Sequence, residues 1–276
     1  YRRQRQMCIR DRVYRKNERR FMNYLTSIHT DAGIRKDRNQ DSVLIETAAT
    51  DYGQILLSVV CDGMGGLAKG EVASAMLVKA FSRWFHQELP RLLYSGMEAN
   101  TLKESWTNLI LEQNQKINNY GLGCNVSLGT TLAALLLVDN VYYIINVGDS
   151  RVYYIKDGFH QITLDQTYVQ REMDLGRMTP EEAKNHPRRN VLLQCVGASS
   201  VIEPDFYMGE YQRDSLFMMC SDGFRHVITP EEFYEKMRPE IMVTEEKMKE
   251  TTVYFTELNK VRREDDNISV ALIRAY

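Results

Sequence analysis

The chain has 276 residues, is 43% hydrophobic and 26% charged, and carries a net charge of −2. These values are ordinary for one large globular domain with a sizeable core. Residues 1–20 contain nine Lys or Arg and two acidic residues, so the remainder has a net charge of −9, which argues against a nucleic-acid-binding surface. The longest uninterrupted apolar run, residues 132–138, is too short to span a bilayer, and no signal-peptide core lies near the start.

The five cysteines include no Cys-x-x-Cys pair. Cys61, Cys195 and Cys220 lie within apolar runs, as small core residues do. This usage fits a reducing cytoplasm better than a disulfide framework.

The first residues invite a separate interpretation. Residues 1–12 resemble the translation of a transposase sequencing adaptor, and the alternative is a native basic arm that binds an acidic surface. We therefore treat residues 1–20 as a non-native basic extension, with a native start as late as Met22. Residues 21–276 are expected to form a single domain, since no repeat, low-complexity tract or linker interrupts them.

The first part of the chain predicts strands and then amphipathic helices. Apolar and β-branched runs predict strands at residues 23–30, 42–47 and 55–61. After a glycine-rich loop, apolar residues recur at helical spacing and predict a helix over residues 71–88 with one face toward the core. A weaker version of the pattern, from Leu102 to Ile117, predicts a second helix.

The remainder predicts paired strands and then two helices. Asp157-Gly158 separates two apolar runs and is a strong signal for a tight hairpin. Residues 168–189 are polar, contain two prolines and predict only short helical pieces. Strands are expected at residues 131–138, 141–147, 152–156, 158–164, 191–195, 201–211, 216–220 and 267–275, and helices at residues 230–237 (with Thr229 as N-cap) and 244–261.

The order of these elements indicates the fold class. Hairpin-linked strands with helices inserted in pairs favour antiparallel sheets covered by helices, whereas a parallel sheet would alternate strand and helix. The predicted class is therefore α+β.

Three aspartates adjoin runs that are fit to be buried strands: Asp62, Asp222 and Asp266. Two carboxylates about 4 Å apart repel by roughly 4 kcal/mol at an effective dielectric near 20. If the fold brings the three together, a divalent cation is the simplest remedy, and hard oxygen ligands without His or Cys suit Mg²⁺ or Mn²⁺. The alternative for any single one is that Asp-Gly marks a turn after a strand.

Six short motifs occur in a characteristic order. They are residues 38–41 (Arg-Asn-Gln-Asp), 62–66 (Asp-Gly-Met-Gly-Gly), 129–131 (Gly-Thr-Thr), 146–151 (Asn-Val-Gly-Asp-Ser-Arg), 221–223 (Ser-Asp-Gly) and 266–267 (Asp-Asn). Together they resemble the metal-dependent protein serine/threonine phosphatases of type 2C, in their compact bacterial form, over residues 24–276. The resemblance implies a four-layer α-β-β-α sandwich, in which two central antiparallel sheets are flanked by helix pairs.

The resemblance also implies a set of metal ligands. Asp62 would bridge two Mg²⁺ or Mn²⁺ ions, Gly63 would lend its backbone carbonyl, and Asp222 and Asp266 would complete one ion. Asp41 would lie near the second ion, directly or through water. A water shared by the ions would attack the phosphate in line, without a covalent phosphoenzyme. Asp149 is either a ligand of a third, weaker metal together with Asp222 or part of a structural turn.

Some positions depart from the family pattern. Met64 stands where animal members have a histidine that acts as a general acid, and Gln166 stands where a histidine is frequent. The phosphate-binding cation is Lys36 by its spacing from Asp41, but Arg35, one step away, offers the better bidentate chemistry. Residues 168–189 correspond to a flap beside the site, and their basic side chains either meet a phosphopeptide or form a solvated loop: Arg171, Arg177, Lys184, Arg188 and Arg189.

Rival chemistries are disfavoured by spacing. A thiol phosphatase needs Cys-x₅-Arg, and the interval from Cys220 to Arg225 is one residue too short. No P-loop, nucleophile elbow or zinc spacing is present. We therefore predict a cytoplasmic phosphatase of phosphoserine and phosphothreonine in proteins that are substrates of a serine/threonine kinase. The alternatives are a catalytically silent regulatory module of the same fold and a hydrolase of small phosphoesters; the oligomeric state is left open.

Overall fold

The structure is a computed structural model that describes residues 21–50, 53–65 and 69–276. The predicted extension, residues 1–20, lies outside the described residues. Within them the chain forms twelve strands: β1 (Tyr24–Asp31), β2 (Ser42–Thr50), β3 (Gly53–Cys61), β4 (Gly63–Gly65), β5 (Leu128–Thr130), β6 (Leu132–Val138), β7 (Val141–Val147), β8 (Arg151–Ile155), β9 (Phe159–Gln161), β10 (Asp205–Glu210), β11 (Ser215–Cys220) and β12 (Ile268–Ala275).

Helices are inserted between groups of strands, as predicted. The same residues contain eight: α1 (Gly70–Gln87), α2 (Leu89–Ser95), α3 (Ala99–Cys124), α4 (Tyr168–Asp174), α5 (Pro180–Lys184), α6 (Asp222–Arg225), α7 (Pro230–Met237) and α8 (Glu245–Val261). None of them is long and apolar enough to cross a membrane.

Two five-stranded antiparallel sheets form the centre of the molecule. The first sheet has the order β1-β12-β11-β8-β9 and the second the order β10-β7-β6-β3-β2, while β4 and β5 pair separately. In the first sheet β1 and β12 pair in register from Tyr24↔Ala275 to Asp31↔Ile268. Beyond that ladder, Asn23 and Tyr276 exchange two backbone hydrogen bonds of 3.0 Å.

The core lies in three layers of side chains. Between the sheets, residues such as Leu56, Leu135 and Phe217 pack together. The outer face of the second sheet packs against α1 and α3, where the rings of Trp84 and Trp106 are 5.4 Å apart. The outer face of the first sheet packs against α7 and α8. The predicted α+β sandwich of two sheets flanked by helices is therefore confirmed.

Alternation along β3 explains its uniformly apolar sequence. Leu56 and Val60 face the other sheet, whereas Leu57 and Val59 face the helices. Successive side chains of a strand point to opposite faces. Both faces of β3 are covered from Ile55 to Cys61, and every side chain in that stretch is apolar except the buried Ser58.

The structure corrects the sequence predictions in two places. Residues 191–195 do not form a strand; only isolated bridges, such as Thr167↔Leu192, occur nearby. A short apolar run has no periodicity that separates a strand from a packed loop, so this prediction was wrong. The strand expected at residues 158–164 is limited to the three residues of β9, and the short helices α2 and α6 were not predicted.

Candidate active site

Four aspartates from separate parts of the chain meet at one end of the sandwich. Asp41 directly precedes β2, Asp62 follows β3, Asp222 begins α6 after β11, and Asp266 lies two residues before β12. Burial and then the charges of Asp41, Asp222, Asp266 and Asp149 raise the pKa of Asp62 well above its ordinary value. The sequence-predicted carboxylates are therefore brought together, and we call Asp41, Asp62, Asp222 and Asp266 the aspartate cluster.

Asp41 shows the cost of this arrangement. Burial raises its pKa to about 7, although hydrogen bonds with Ser269 and Ser221 act in the opposite direction and the charges of Asp222 and Asp266 add to the increase. Ser221 Oγ donates to Asp41 Oδ2 over 2.9 Å. A buried carboxylate with two anionic neighbours is destabilised in its charged form, even when hydroxyl groups donate to it.

Two oxygens of the aspartate cluster are left free. Asp41 Oδ1 and Asp222 Oδ1 are buried and have no hydrogen-bond partner among residues 21–50, 53–65 and 69–276. Buried polar atoms are nearly always paired, and hard carboxylate oxygens are the donors that Mg²⁺ and Mn²⁺ prefer. Among the described segments, no group of three or more His, Cys, Asp or Glu side chains is already arranged to hold a metal ion. The carboxylates of the aspartate cluster are chemically suitable ligands for a divalent cation. In the metal-free structure the Lys36 ammonium places a positive charge beside Asp266.

The backbone around Asp62 is held from several sides. Thr131 accepts from the Asp62 amide through Oγ1 and donates its own amide to the Asp62 carbonyl, both over 2.9 Å. Thr130 Oγ1 donates to the same carbonyl over 3.0 Å. A Cβ at Gly63 would overlap the carbonyl oxygens of Gln40 and Gly70, so only glycine fits there. The Gly-Thr-Thr motif is thus a backbone support for the site.

The opposite side of the site is held by residues that sequence reasoning did not assign. Asn267 Oδ1 accepts from the Gln40 amide over 2.9 Å, and its Nδ2 donates to the carbonyls of Ala32 and Arg38. Glu264 Oε1 accepts hydrogen bonds from the backbone amides of Asp265 and Asp266, over 3.0 and 3.1 Å. These side chains fix Asp266 relative to the loop that carries Asp41. The sequence offered a signal for Asn267, which follows the motif residue Asp266, but it offered no signal that Glu264 supports the site.

Lys36, not Arg35, faces the aspartate cluster. Lys36 Nζ lies 3.0 Å from Asp266 Oδ1. Partial burial alone would lower the pKa of Lys36, but the hydrogen bond to Asp266 and the charges of Asp62 and Asp222 outweigh it and raise the pKa. Arg35 instead pairs with Asp265 over 2.9 Å, and its side chain is 72% exposed. The structure thus places Lys36 beside the aspartate cluster and Arg35 outside it, while the role of Lys36 in binding phosphate stays a prediction.

A second group of buried charges adjoins the aspartate cluster, and we call it the four-charge cluster: Asp149, Arg151, Asp165 and Arg225. Arg151 holds Asp165 with two bonds of 2.7 Å. Arg225 Nη2 lies 3.6 Å from Asp149 Oδ2 and 3.5 Å from Asp165 Oδ2. Burial and the charge of Asp222 raise the pKa of Asp149 to about 7, while Arg225 opposes them. Sequence analysis gave no role to Asp165 or Arg225.

The flap is basic and exposed. Residues 168–189 form α4 and α5, and the rings and guanidinium groups of Tyr168, Arg171 and Arg188 stack with centroid distances of 5.5 and 5.2 Å. Its five basic side chains are exposed. The same residues carry four acidic side chains, and Glu172 pairs with both Arg171 and Arg177, so the flap has only a small excess of positive charge. Whether its basic side chains meet a phosphopeptide stays a prediction.

Cysteine chemistry is disfavoured by the structure as well as by spacing. Cys61 and Cys220 are fully buried in β3 and β11. Burial raises the pKa of the Cys220 thiol to about 12, so it carries no thiolate at neutral pH.

Comparison with known proteins gives a consistent result. A family model described as protein phosphatase 2C matches residues 30–261. The chain is 31% identical over 250 residues to protein phosphatase PhpP of Streptococcus pneumoniae, which covers 90% of this chain and 96% of that protein. Among solved structures, the S. agalactiae serine/threonine phosphatase has a TM-score of 0.79 at 27% identity and covers 91% of this chain and 99% of that chain. The catalytic domain of the serine/threonine protein phosphatase PstP, in complex with two manganese ions, has a TM-score of 0.73 at 28% identity and covers 92% and 98%.

Proposed function

The chain belongs to the protein phosphatase 2C family, and we propose that it hydrolyses phosphoserine and phosphothreonine in proteins with the help of two Mg²⁺ or Mn²⁺ ions. The observation that carries this proposal is the aspartate cluster with its two unpartnered buried oxygens, Asp41 Oδ1 and Asp222 Oδ1. Four carboxylates crowded at one sandwich edge are costly unless cations balance them.

The residues of the cluster would share the work of holding the ions. Asp62 would contact both ions, Asp222 and Asp266 would contact one, and Asp41 and the Gly63 carbonyl would contribute to the other. When bound, the ions supply the acidity that activates water and the charge that stabilises a phosphoryl transition state. The two manganese ions bound to the PstP catalytic domain support metal dependence.

Lys36 and the flap would bind the substrate. Lys36 Nζ, now paired with Asp266, would turn to a phosphate oxygen once metal ions neutralise the carboxylates. The exposed basic side chains of the flap would attract the acidic phosphopeptide. We place this activity in the cytoplasm, on the substrates of a serine/threonine kinase, with residues 21–276 as one catalytic domain.

The test is turnover of a phosphothreonine peptide and of p-nitrophenyl phosphate, each with added Mn²⁺, added Mg²⁺ or EDTA. We expect metal-dependent release of phosphate from the peptide and its loss in EDTA. Asp214→Asn, which changes an exposed aspartate in the β10–β11 loop, serves as the control and should retain activity.

Each alternative has its own outcome in the same experiment. Turnover of p-nitrophenyl phosphate without turnover of any phosphopeptide would favour a small-phosphoester hydrolase. Binding of the peptide without turnover in either metal would favour the regulatory module. Full activity in EDTA would contradict the two-metal mechanism.

A further inference from the structure

Arg225 is a buried cation at the edge of the aspartate cluster. Its side chain is 10% exposed, and it extends from α6, the helix that begins at Asp222. Nη2 donates to the Asp149 carbonyl over 3.0 Å and lies 3.6 Å from the Asp149 carboxylate. Arg225 therefore joins the segment that carries Asp222 to the turn that carries Asp149.

The four-charge cluster is balanced without any added ion. Asp149 and Asp165 contribute two negative charges, and Arg151 and Arg225 contribute two positive ones. Arg151 already holds both oxygens of Asp165 at 2.7 Å, so Arg225 is the cation that faces Asp149. A divalent ion on Asp149 would place excess positive charge beside a buried guanidinium, which is unfavourable where solvent does not screen it.

The family resemblance allows Asp149 to hold a further metal with Asp222, and the contacts of Arg225 argue against it. We propose that Arg225 is a built-in cation that takes the place of that ion, so that Asp149 is not a metal ligand in this protein. The inference rests on the proposed function for its setting, since it concerns a carboxylate next to the proposed two-metal site.

Removing the guanidinium should open a cation site. Without Arg225, the Asp149 carboxylate loses the guanidinium that lies 3.6 Å from its Oδ2 atom and becomes free to bind another cation. Hard oxygen ligands of this kind bind divalent ions. The identity of residue 225 thus sets how many ions the protein holds.

The experiment is a count of bound Mn²⁺ per chain by isothermal titration calorimetry and by elemental analysis after gel filtration. Arg225→Met, which keeps bulk but removes charge, is expected to bind one more ion than the wild type. Arg225→Lys, which keeps the charge, is expected to bind the same number as the wild type. Adding Asp149→Asn to Arg225→Met should abolish the extra ion, whereas Asp149→Asn alone should leave the wild-type count unchanged.

Two outcomes would overturn the inference. One is an Asp149→Asn variant that binds one Mn²⁺ ion fewer than the wild type. This comparison can be made even if Arg225→Met does not fold. The other is a folded Arg225→Met variant with the wild-type count. Because these outcomes concern differences between variants, they are distinct from failure of the proposed function, which would appear as unchanged Mn²⁺ binding in Asp222→Asn and Asp266→Asn.

Discussion

The aspartate cluster and the four-charge cluster are neighbours, yet their charges are balanced in different ways. In the four-charge cluster two arginines face two aspartates, and Arg151 holds Asp165 in a bidentate pair. In the aspartate cluster Lys36 pairs with Asp266 and His226 lies 3.9 Å from Asp222, but no arginine pairs with any of the four carboxylates among the described residues, and two buried oxygens have no partner there. A buried acid with its own arginine is part of the scaffold, whereas a buried acid without one is available to a ligand. The following predictions test that distinction.

The largest effect is expected from neutralising one member of the aspartate cluster. Asp222→Asn or Asp266→Asn should lower kcat by roughly 10³-fold or more, because a site that stabilises phosphoryl charge loses a ligand. The melting temperature of the metal-free protein should not fall, since the change relieves repulsion between carboxylates. Steady-state kinetics and thermal denaturation measure the two effects, and near-normal activity in either variant would contradict the distinction.

Neutralising one member of the four-charge cluster should do the reverse and weaken the fold. Asp165→Asn should lower the free energy of unfolding by about 3 kcal/mol, since removing one partner leaves buried arginines uncompensated. The matched control is Asp214→Asn, whose partner Arg274 is 2.7 Å away and whose own side chain is 65% exposed. That surface pair should be worth less than about 1 kcal/mol. Urea denaturation measures both, and equal small losses would contradict the structural role of Asp165.

Metal binding should depend on pH because the aspartate cluster holds protons. The raised pKa values of Asp41, about 7, and of Asp62 mean that the folded metal-free protein binds more protons than the unfolded chain between about pH 4 and 7. These groups therefore add stability that is present at low pH and lost as pH rises through their folded pKa values. Divalent ions need the charged form, so Mn²⁺ affinity should rise by up to about tenfold per pH unit for each proton released. The part of this rise that comes from Asp41 should level off above about pH 7.

Calorimetry in buffers of different ionisation enthalpy counts the protons released on Mn²⁺ binding. Proton release at pH 6 that decreases by pH 8, as Asp41 becomes charged without metal, is expected. An affinity and a proton count that do not change over this range would show that the carboxylates are already charged without metal.

The smallest effect separates Lys36 from Arg35. Lys36→Ala should raise KM for a phosphopeptide by roughly fivefold, because one net hydrogen bond contributes about 1 kcal/mol. Arg35→Ala is the matched control, because it removes an exposed cation that pairs with Asp265 outside the cluster. Its KM should change by less than twofold. A larger rise for Arg35→Ala would reverse the assignment.

The same distinction explains what the sequence could predict. Asp62, Asp222 and Asp266 stand out because each is an acid next to a buried strand, which is a local signal. The capping box at Thr229 and Glu232 is local as well, and α7 begins where the sequence predicts. The pairing of Arg225 with Asp149 spans 76 residues and depends on the pairing of β8 with β11, so no local pattern carries it.

The strand prediction at residues 191–195 was wrong for a different reason. The apolar residues there suggested a strand, but Val191 and Leu193 are exposed, 47% and 44%, on a segment held by isolated bridges. Composition alone does not tell whether an apolar residue will find a partner across a sheet.

The pairing of β1 with β12 has a mechanical consequence. Asn23 and Tyr276 exchange hydrogen bonds at one end of the ladder, and Asp31 pairs with Ile268 at the other, next to Asp266. In an antiparallel pair, force applied through Asn23 and Tyr276 loads one pair of bonds after another instead of shearing all of them together. Tension on these two positions would therefore separate the ladder from the end remote from the aspartate cluster. Eight residue pairs would part before the strain reached the segment that holds Asp266.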